Sequence, residues 1–267
     1  MITRQQIKYI RSLHQKKFRD VYNCFLAEGL KIVKEAITNP FYVVDLIVYT
    51  PQTRSELNFN LLKENTKTIE ITSKEFSRIS GQKTPQEVLA VLRMNKQYPS
   101  LTKITGSIVL ALDRIQDPGN LGTILRLADW FGVEDILCSE DCVDCYNPKV
   151  IQASMGAFLR VNLQYGKLVE MLIYLKEKQH YRILGTALTG ESIYNETYSK
   201  KTVIVLGNES NGISESITAV TDNQIMIPNY SIRNEKTESL NVSVAAAIIC
   251  SEILRREQYP IQNERGE

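Results

Sequence analysis

The sequence predicts an α/β protein. A mostly parallel sheet with helices on both faces fills its C-terminal part, and a small α/β unit precedes it. Two observations predict this. From residue 107 onward, short β-branched and aliphatic runs alternate with longer stretches of helical character. Three segments in that region carry glycine and asparagine at the end of an apolar run: DRIQDPGNLGTILRLADWFG (113–132), VIVLGNESNGIS (203–214) and IMIP…ESLNVSVAAAI (225–248). Each reads as a buried strand, a polar turn, then a helix. In an open α/β sheet ligands sit just beyond the carboxyl ends of the strands, so three polar strand ends point to one composite site.

The elements follow in order. Residues 1–22 read as helical material ending in a Lys/Arg-rich turn, and FLAEGLKIVKEAI (25–37) as a helix with apolar residues at Leu30, Ile32, Val33 and Ile37. Asn39-Pro40 ends it. VVDLIVYT (43–50), TIEIT (68–72) and EVLAVLRM (87–94) read as strands, with a short helix through Phe76. KQYPSLTKITG (96–106) has no periodicity and reads as a linker. Strands are then expected at 107–112, 135–138, 161–165, 182–188, 203–207 and 224–228. Helices are expected at 119–131, 147–158 and 167–178, and a long one from about Leu240 to Arg256 closes the chain.

A chain of 267 residues allows one large domain or two ordinary ones. It contains no run of apolar residues long enough for a membrane span, and the N-terminus MITRQQIKYIRSLHQKK is too polar for a secretory signal. A cytoplasmic protein is the expectation. The net charge of +2 hides an asymmetry: residues 1–97 carry 16 Lys+Arg against 9 Asp+Glu, and the remainder 16 against 21. Lys16, Lys17 and Arg19 belong to the basic cluster near the N-terminus. Such a face is either solvated or a docking surface for phosphates. The five cysteines are scattered and do not resemble a disulfide framework. With only His14 and His180, far apart, neither a His-rich metal site nor a Ser-His-Asp triad is expected.

The first segment contains Pro118-Gly119, a turn, followed by Asn120, Gly122 and Arg126. If the helix begins near Asn120, both Asn120 and Arg126 are expected at the mouth of the strand. No GxGxxG and no GxxxxGK[ST] is present, which excludes the dinucleotide fingerprint and the Walker loop. The second segment places Gly207, Asn208, Glu209, Asn211 and Gly212 after an apolar strand, presenting main-chain N–H groups and one carboxylate. In the third, Pro228 closes a strand, and Ser239, Leu240, Asn241 and Ser243 open an apolar helix, with Ser239 a credible N-cap. Singly, each segment also reads as an ordinary capped turn.

Together and in order, NLGTILRLA, LGNESNGI and SLNVSVA resemble the three signature motifs of the SpoU (TrmH-type) RNA 2′-O-methyltransferases of the SPOUT superfamily. IRSLHQKKFRD, FLAEGLKIVKEA and TPQEVLAVL in residues 1–94 resemble the ribosomal-protein-like substrate-binding domain that many members carry. The resemblance implies residues 1–95 as an RNA substrate-binding domain, 96–106 as the linker, 107–259 as the methyltransferase domain and 260–267 as a polar tail. It also implies a deep trefoil knot in the C-terminal part, which no spacing argument predicts. S-adenosyl-L-methionine is the implied cofactor, held around Leu206, Gly207, Ile227 and Leu240 with Thr186 and Ala187 lining the same pocket. A homodimer is implied, acting on RNA, with no metal and no membrane.

Arg126, Asn120, Glu209, Ser239 and Asn241 match the family's functional positions. A free guanidinium holds its proton to above about pH 12. Arg126 is therefore expected to orient the target phosphate and stabilise a forming alkoxide rather than to accept a proton. Glu209 and Asn120 are expected to shape the site. Members with such an N-terminal domain mostly act on large-subunit ribosomal RNA, so a 23S-type nucleotide is expected, with tRNA as the alternative. Two departures stand out: the stretch NYSIRNEKTE (229–238) is long and charged, and Glu87 occupies a place where glycine is common in the N-terminal domain. Two rival readings compete. Cys138, Cys142 and Cys145 form a CxxxCxxC spacing suited to an iron–sulfur cluster. The basic N-terminal face by itself suits a non-catalytic RNA-binding module.

Overall fold

The computed structural model describes residues 2–95, 100–232 and 238–258. Residues 96–99 of the expected linker, 233–237 of the charged loop, and the expected tail at 260–267 lie outside the described residues. In chain order the elements are α1 (Arg4–Ser12), α2 (Lys16–Tyr22), β1 (Cys24–Glu28), α3 (Leu30–Thr38), β2 (Val44–Tyr49), α4 (Pro51–Arg54), β3 (Lys67–Glu70), α5 (Ser73–Phe76) and β4 (Val88–Arg93). There follow β5 (Ile108–Leu112), α6 (Pro118–Phe131), β6 (Asp135–Ser139), α7 (Pro148–Ser154), β7 (Asn162–Gly166) and α8 (Leu168–Gln179). The last are β8 (Arg182–Ser192), β9 (Thr202–Leu206), α9 (Glu215–Thr218), β10 (Asn223–Met226) and α10 (Val242–Gln258). The chain divides into two compact units, Met1–Lys96 with Asp144–Arg160, and Gln97–Val143 with Val161–Glu267.

The first unit is built on a four-stranded sheet ordered β1-β4-β2-β3, with β4 antiparallel to both neighbours and β2 parallel to β3. Cys24 and Leu26 of β1 join a core with Ile10, Leu13, Phe76, Ile79 and Val91. The alternate residue Phe25 packs on Tyr146, with ring centroids 4.6 Å apart, and on Tyr42 and Phe158. This strand is thus buried on both faces, which corrects the expected helix over 25–37. An unbroken apolar run carries no period, so strand and helix look alike in it. The helix begins only at Leu30.

Two further expectations are corrected. The N-terminal helical stretch is two helices, because Gln15 is extended (φ −101°, ψ 133°) between them. The helix expected over 147–158 stops at Ser154, where Met155 and Gly156 both take positive φ (52° and 94°). Glu87 also sits in the left-handed region at φ 59°, which is why glycine suits that place. Its main-chain carbonyl and side chain nevertheless accept hydrogen bonds from Thr53 Oγ1 and Thr50 Oγ1, each at 3.1 Å.

The second unit holds a six-stranded sheet ordered β10-β8-β9-β5-β6-β7, and every neighbouring pair in it is parallel. Val109, Ala111, Val203, Val205 and Ile183 pack with Leu168, Met171, Leu172 and Leu175 of α8. The alternate residues Leu110, Leu112, Ile204 and Leu206 point to the opposite face and are equally buried. α6 and α10 pack against each other. From β5 the chain steps outward through β6 and β7, then returns to β8 and β9 on the other side of β5. The order therefore reverses between β5 and β9, where an open α/β sheet opens its crevice. The first two glycine-asparagine segments leave the sheet there. β8 runs past its expected end, and residues 186–190 bulge out between the pairs Gln224↔Gly185 and Ile225↔Glu191.

Candidate active site

The first segment caps itself. Pro118 opens α6, and the Asp117 carboxylate accepts the Asn120 N–H at 2.8 Å. Asn120 is thus inside the first helical turn with its side chain free to reach outward. The second segment is a tight loop closed by two main-chain hydrogen bonds, Asn208 N–H to Gly212 O at 3.1 Å and Gly212 N–H to Asn208 O at 2.8 Å. Asn208 Oδ1 accepts the N–H groups of Ser210 and Asn211, and its Nδ2 donates to Arg114 O at 3.0 Å. Gly207 admits no side chain, because a Cβ there would stand 2.3 Å from Gly212 C and 2.4 Å from Ile213 N. Gly207→Ala is expected to cost about 3 kcal/mol through overpacking, a melting-temperature drop of about 6–10 °C. A thermal melt within a degree of the wild type would contradict that packing.

In the third segment Asn241, not the expected Ser239, caps α10. Its Oδ1 accepts the N–H groups of Ser243 and Val244 at 3.0 and 3.3 Å and the Ser243 hydroxyl at 2.6 Å. The helix begins at Val242, one residue after the cap, so Ser239 lies too early to cap it.

The three segments meet through their side chains. Asn241 Nδ2 donates to Asn120 Oδ1 at 2.9 Å, and Asn120 Nδ2 donates to the Glu209 carboxylate. Both amide orientations are set by the ends of this chain of bonds. Main-chain N–H groups only donate, so Asn241 must present its oxygen to α10 and its nitrogen to Asn120. An ionised carboxylate only accepts, so Asn120 must present its nitrogen to Glu209. The result is a relay from a helix N-terminus to a carboxylate.

Other expected site residues are placed differently. Arg126 is exposed on α6, two turns beyond the helix start, and the structure does not bring it to Asn120. Six residues of helix rotate a side chain by about 240° and advance it by about 9 Å, so the two do not share a face. Ser239 is exposed as well. Gly207, Thr186, Ala187 and Ile227 are half-buried, and Leu240 is 48% exposed. Thr186 Oγ1 donates to Val205 O at 2.9 Å. The Leu206 side chain is buried in the core and its carbonyl accepts Asp113 N–H at 2.9 Å, so Leu206 forms the floor beneath the loop rather than a free ligand-holding group.

Asn208, named among the residues of the second segment, organises that loop, and Asp113 shapes the site without having been singled out. The Asp113 carboxylate is buried and accepts Ser214 N–H at 2.7 Å, tying the end of β5 to the far side of the second loop. Below the first turn, Ile115 N–H donates to Cys142 Sγ at 3.3 Å. Hydrogen bonds from Cys138, and then from Ser139 and Ile115, pull the Cys142 thiol down to about 7 against the opposing effect of burial. Among the described residues no three His, Cys, Asp or Glu side chains are grouped to hold a metal ion.

In the other unit Lys16 and Lys17 are exposed on α2. Arg19 is not: it is 2% exposed, pairs with Asp144 at 2.6 Å, and donates to Leu13 O and His14 O, both at 3.1 Å. It satisfies the carbonyls left open where α1 ends, and so is a structural residue rather than the RNA ligand expected from the sequence.

The pattern of the SpoU rRNA methylase family matches residues 107–251, and that of the MRM3-like substrate binding domain matches residues 4–90. The chain belongs to the SpoU rRNA methylase family. It is 32% identical over 246 residues to the 23S rRNA (guanosine(2553)-2′-O)-methyltransferase RlmP of Bacillus subtilis (strain 168), covering 92% of this chain and 94% of that one. A solved structure of a putative RNA methyltransferase of the TrmH family from Porphyromonas gingivalis superposes with a TM-score of 0.85 at 36% identity, covering 96% and 99% of the two chains. An AdoMet-bound rRNA methyltransferase from Sinorhizobium meliloti superposes with a TM-score of 0.81 at 28% identity, covering 96% of each chain. As a member of this family the protein is an RNA methyltransferase that uses S-adenosylmethionine.

Proposed function

We propose that the protein methylates the 2′-oxygen of a ribose in large-subunit ribosomal RNA. The observation that carries the reading is the Asn241–Asn120–Glu209 relay, which unites side chains of all three family segments at the carboxyl ends of the strands. Its support for the substrate is the similarity to RlmP, a named 23S rRNA 2′-O-methyltransferase. Bound S-adenosylmethionine supplies an activated methyl group on a sulfonium. The chemistry of the expected residues fits it: Ala187, Ile227 and Leu240 leave apolar side-chain surface partly exposed, and Gly207 offers main-chain groups without a side chain. Glu209, oriented through Asn120 and Asn241, shapes the place of the ribose. Arg126, exposed on another face of α6, is assigned to the adjoining phosphate by its place in the family segment and would there stabilise negative charge as the 2′-oxygen attacks, and Ser239 lies in the same segment as Asn241.

The wider reading includes the trefoil threading, which rests on family membership, and a cytoplasmic location, where ribosomal RNA is found. It also includes a homodimer. α10 leaves Val244 47% exposed and Ala247, Ile248 and Leu254 partly so, an apolar stripe suited to a second copy. A solution mass of a single chain would exclude the dimer.

Titration calorimetry with S-adenosylhomocysteine, followed by transfer of a labelled methyl group to undermethylated large-subunit rRNA and to bulk tRNA, tests the function. Micromolar binding with transfer to the rRNA alone supports it. Transfer to tRNA alone reassigns the substrate, and folded protein that binds neither cofactor product nor donor leaves a non-catalytic RNA-binding module. Lys16→Gln with Lys17→Gln is expected to weaken RNA binding and flatten its salt dependence by about 1–2 in log–log slope. An unchanged slope would mean that these two lysines are merely solvated.

A further inference from the structure

We propose that Arg114 is a positioning residue for methyl transfer, holding the loop that carries Glu209 in register with Asn120. The inference rests on the functional reading of that site and adds to it a residue outside the three segments' matched positions.

Arg114 follows β5 with φ at +58°, a conformation that favours glycine. Its main chain would make the same contacts whatever the side chain: its N–H donates to Ser139 Oγ at 2.9 Å and its carbonyl accepts Asn208 Nδ2 at 3.0 Å. Glycine would make both without strain, so the turn alone gives no reason for an arginine. The side chain is where the difference lies. Its Nη2 donates to Gly212 O at 3.4 Å, and its Nε faces Asp113 Oδ1 at 3.4 Å. Nε is buried and makes no hydrogen bond among the described residues, so the carboxylate holds it by charge. Asp113 in turn accepts Ser214 N–H through its other oxygen.

Asn208 and Gly212 are the two ends of the loop, bonded to each other across it. The Arg114 carbonyl grips the first end and its guanidinium the second. Glu209 is the next residue after the first end, and it touches Asn120, which follows Arg114 on the same segment. A closed ring therefore runs from Arg114 through Asn208 and Glu209 to Asn120 and back along the chain. Opening one side of that ring lets the Glu209 carboxylate drift relative to Asn120. Strain retained at such a place is a mark of a functional constraint, and small misplacements of a positioned group cost rate far more than stability.

The test compares wild type with Arg114→Gly and Arg114→Lys, using undermethylated large-subunit rRNA and labelled S-adenosylmethionine. Arg114→Gly relieves the left-handed strain, so its melting temperature is expected to hold or rise. Its kcat is expected to fall about tenfold while KM for RNA and the Kd for S-adenosylhomocysteine stay within about threefold. Arg114→Lys keeps the charge but not the planar fork that reaches Asp113 and Gly212 together, and is expected to remain impaired. In a Glu209→Gln background Arg114→Gly is expected to cost little more, because both changes act on one carboxylate. Undiminished kcat in Arg114→Gly overturns the proposal. So does a raised KM at constant kcat, which would make Arg114 a direct phosphate ligand, or full additivity with Glu209→Gln. A wild type that transfers no methyl group to any RNA overturns the functional reading itself, whatever the variants do.

Discussion

Replacing Arg126 by alanine is expected to abolish methyl transfer, lowering kcat by about a thousandfold or more, while the fold and cofactor binding survive. The side chain is exposed on α6 and lies on the opposite side of the helix stripe formed by Leu121, Ile124, Leu125 and Ala128, which are fully buried. Truncating it removes no core packing, so the melting temperature should move by no more than about 2 °C. What it removes is an exposed guanidinium of the first segment that, unlike Arg114 with its partner Asp113, is open to a phosphate. A guanidinium binds two phosphate oxygens through parallel N–H groups, which orients the nucleotide as well as attracting it. Lysine in its place would restore charge without that geometry and should recover only a small part of the rate. Single-turnover transfer and calorimetry with S-adenosylhomocysteine measure the two effects separately. Full activity in the alanine variant would remove Arg126 from the catalytic machinery.

Asn120→Asp is expected to lower kcat by about a hundredfold, and Glu209→Gln placed on top of it to restore at least tenfold. The prediction comes from the polarity of the relay. Aspartate at position 120 loses the amide donor and sets a second carboxylate against Glu209, with which wild-type Asn120 is in contact. Like charges so close repel, and the pair must separate or take up a proton. The double variant reverses the roles: glutamine at position 209 donates, and aspartate accepts from it and from Asn241 Nδ2. Donors and acceptors then match again along the whole relay, with the negative charge moved one residue along. A double variant no better than Asn120→Asp would show that the charge must reside on residue 209 or that the relay does not run in this direction.

The parts of the fold that were legible in the sequence share one property: their pattern is local. β5 with α6, and the strand of the second segment, are short apolar runs followed by turn residues whose chemistry is set within a few positions. The Asp117 cap and Pro118 at the first helical position are of this kind. β1 was not legible. FLAE is apolar on both sides because Tyr42, Tyr146 and Phe158 cover one face of Phe25's strand while Ile10 and Leu13 lie in the core on the other. Two of those rings come from residues more than a hundred positions away, and no window on the sequence contains them.

The site divides in the same way. The residue types at 120, 209 and 241, and their membership of three strand-end segments, are properties of the sequence alone, because turns and strand ends require them locally. Their meeting is not: Asn120 and Asn241 are 121 positions apart and are brought together by the packing of α10 on α6, while the return of the chain to β9 beside β5 brings in Glu209. Arg19 shows the converse. As a residue type it is a surface cation, and the sequence places it among lysines. The tertiary structure buries it, because Asp144 and the open carbonyls of Leu13 and His14 together meet the donors of a guanidinium that water would otherwise have to solvate. The sequence by itself determined the fold class, the family and the chemical inventory of the site. Which polar groups face one another, and which charges remain free to meet RNA, was decided by long-range packing, since hydrogen bonds depend on direction and distance in space rather than on separation along the chain.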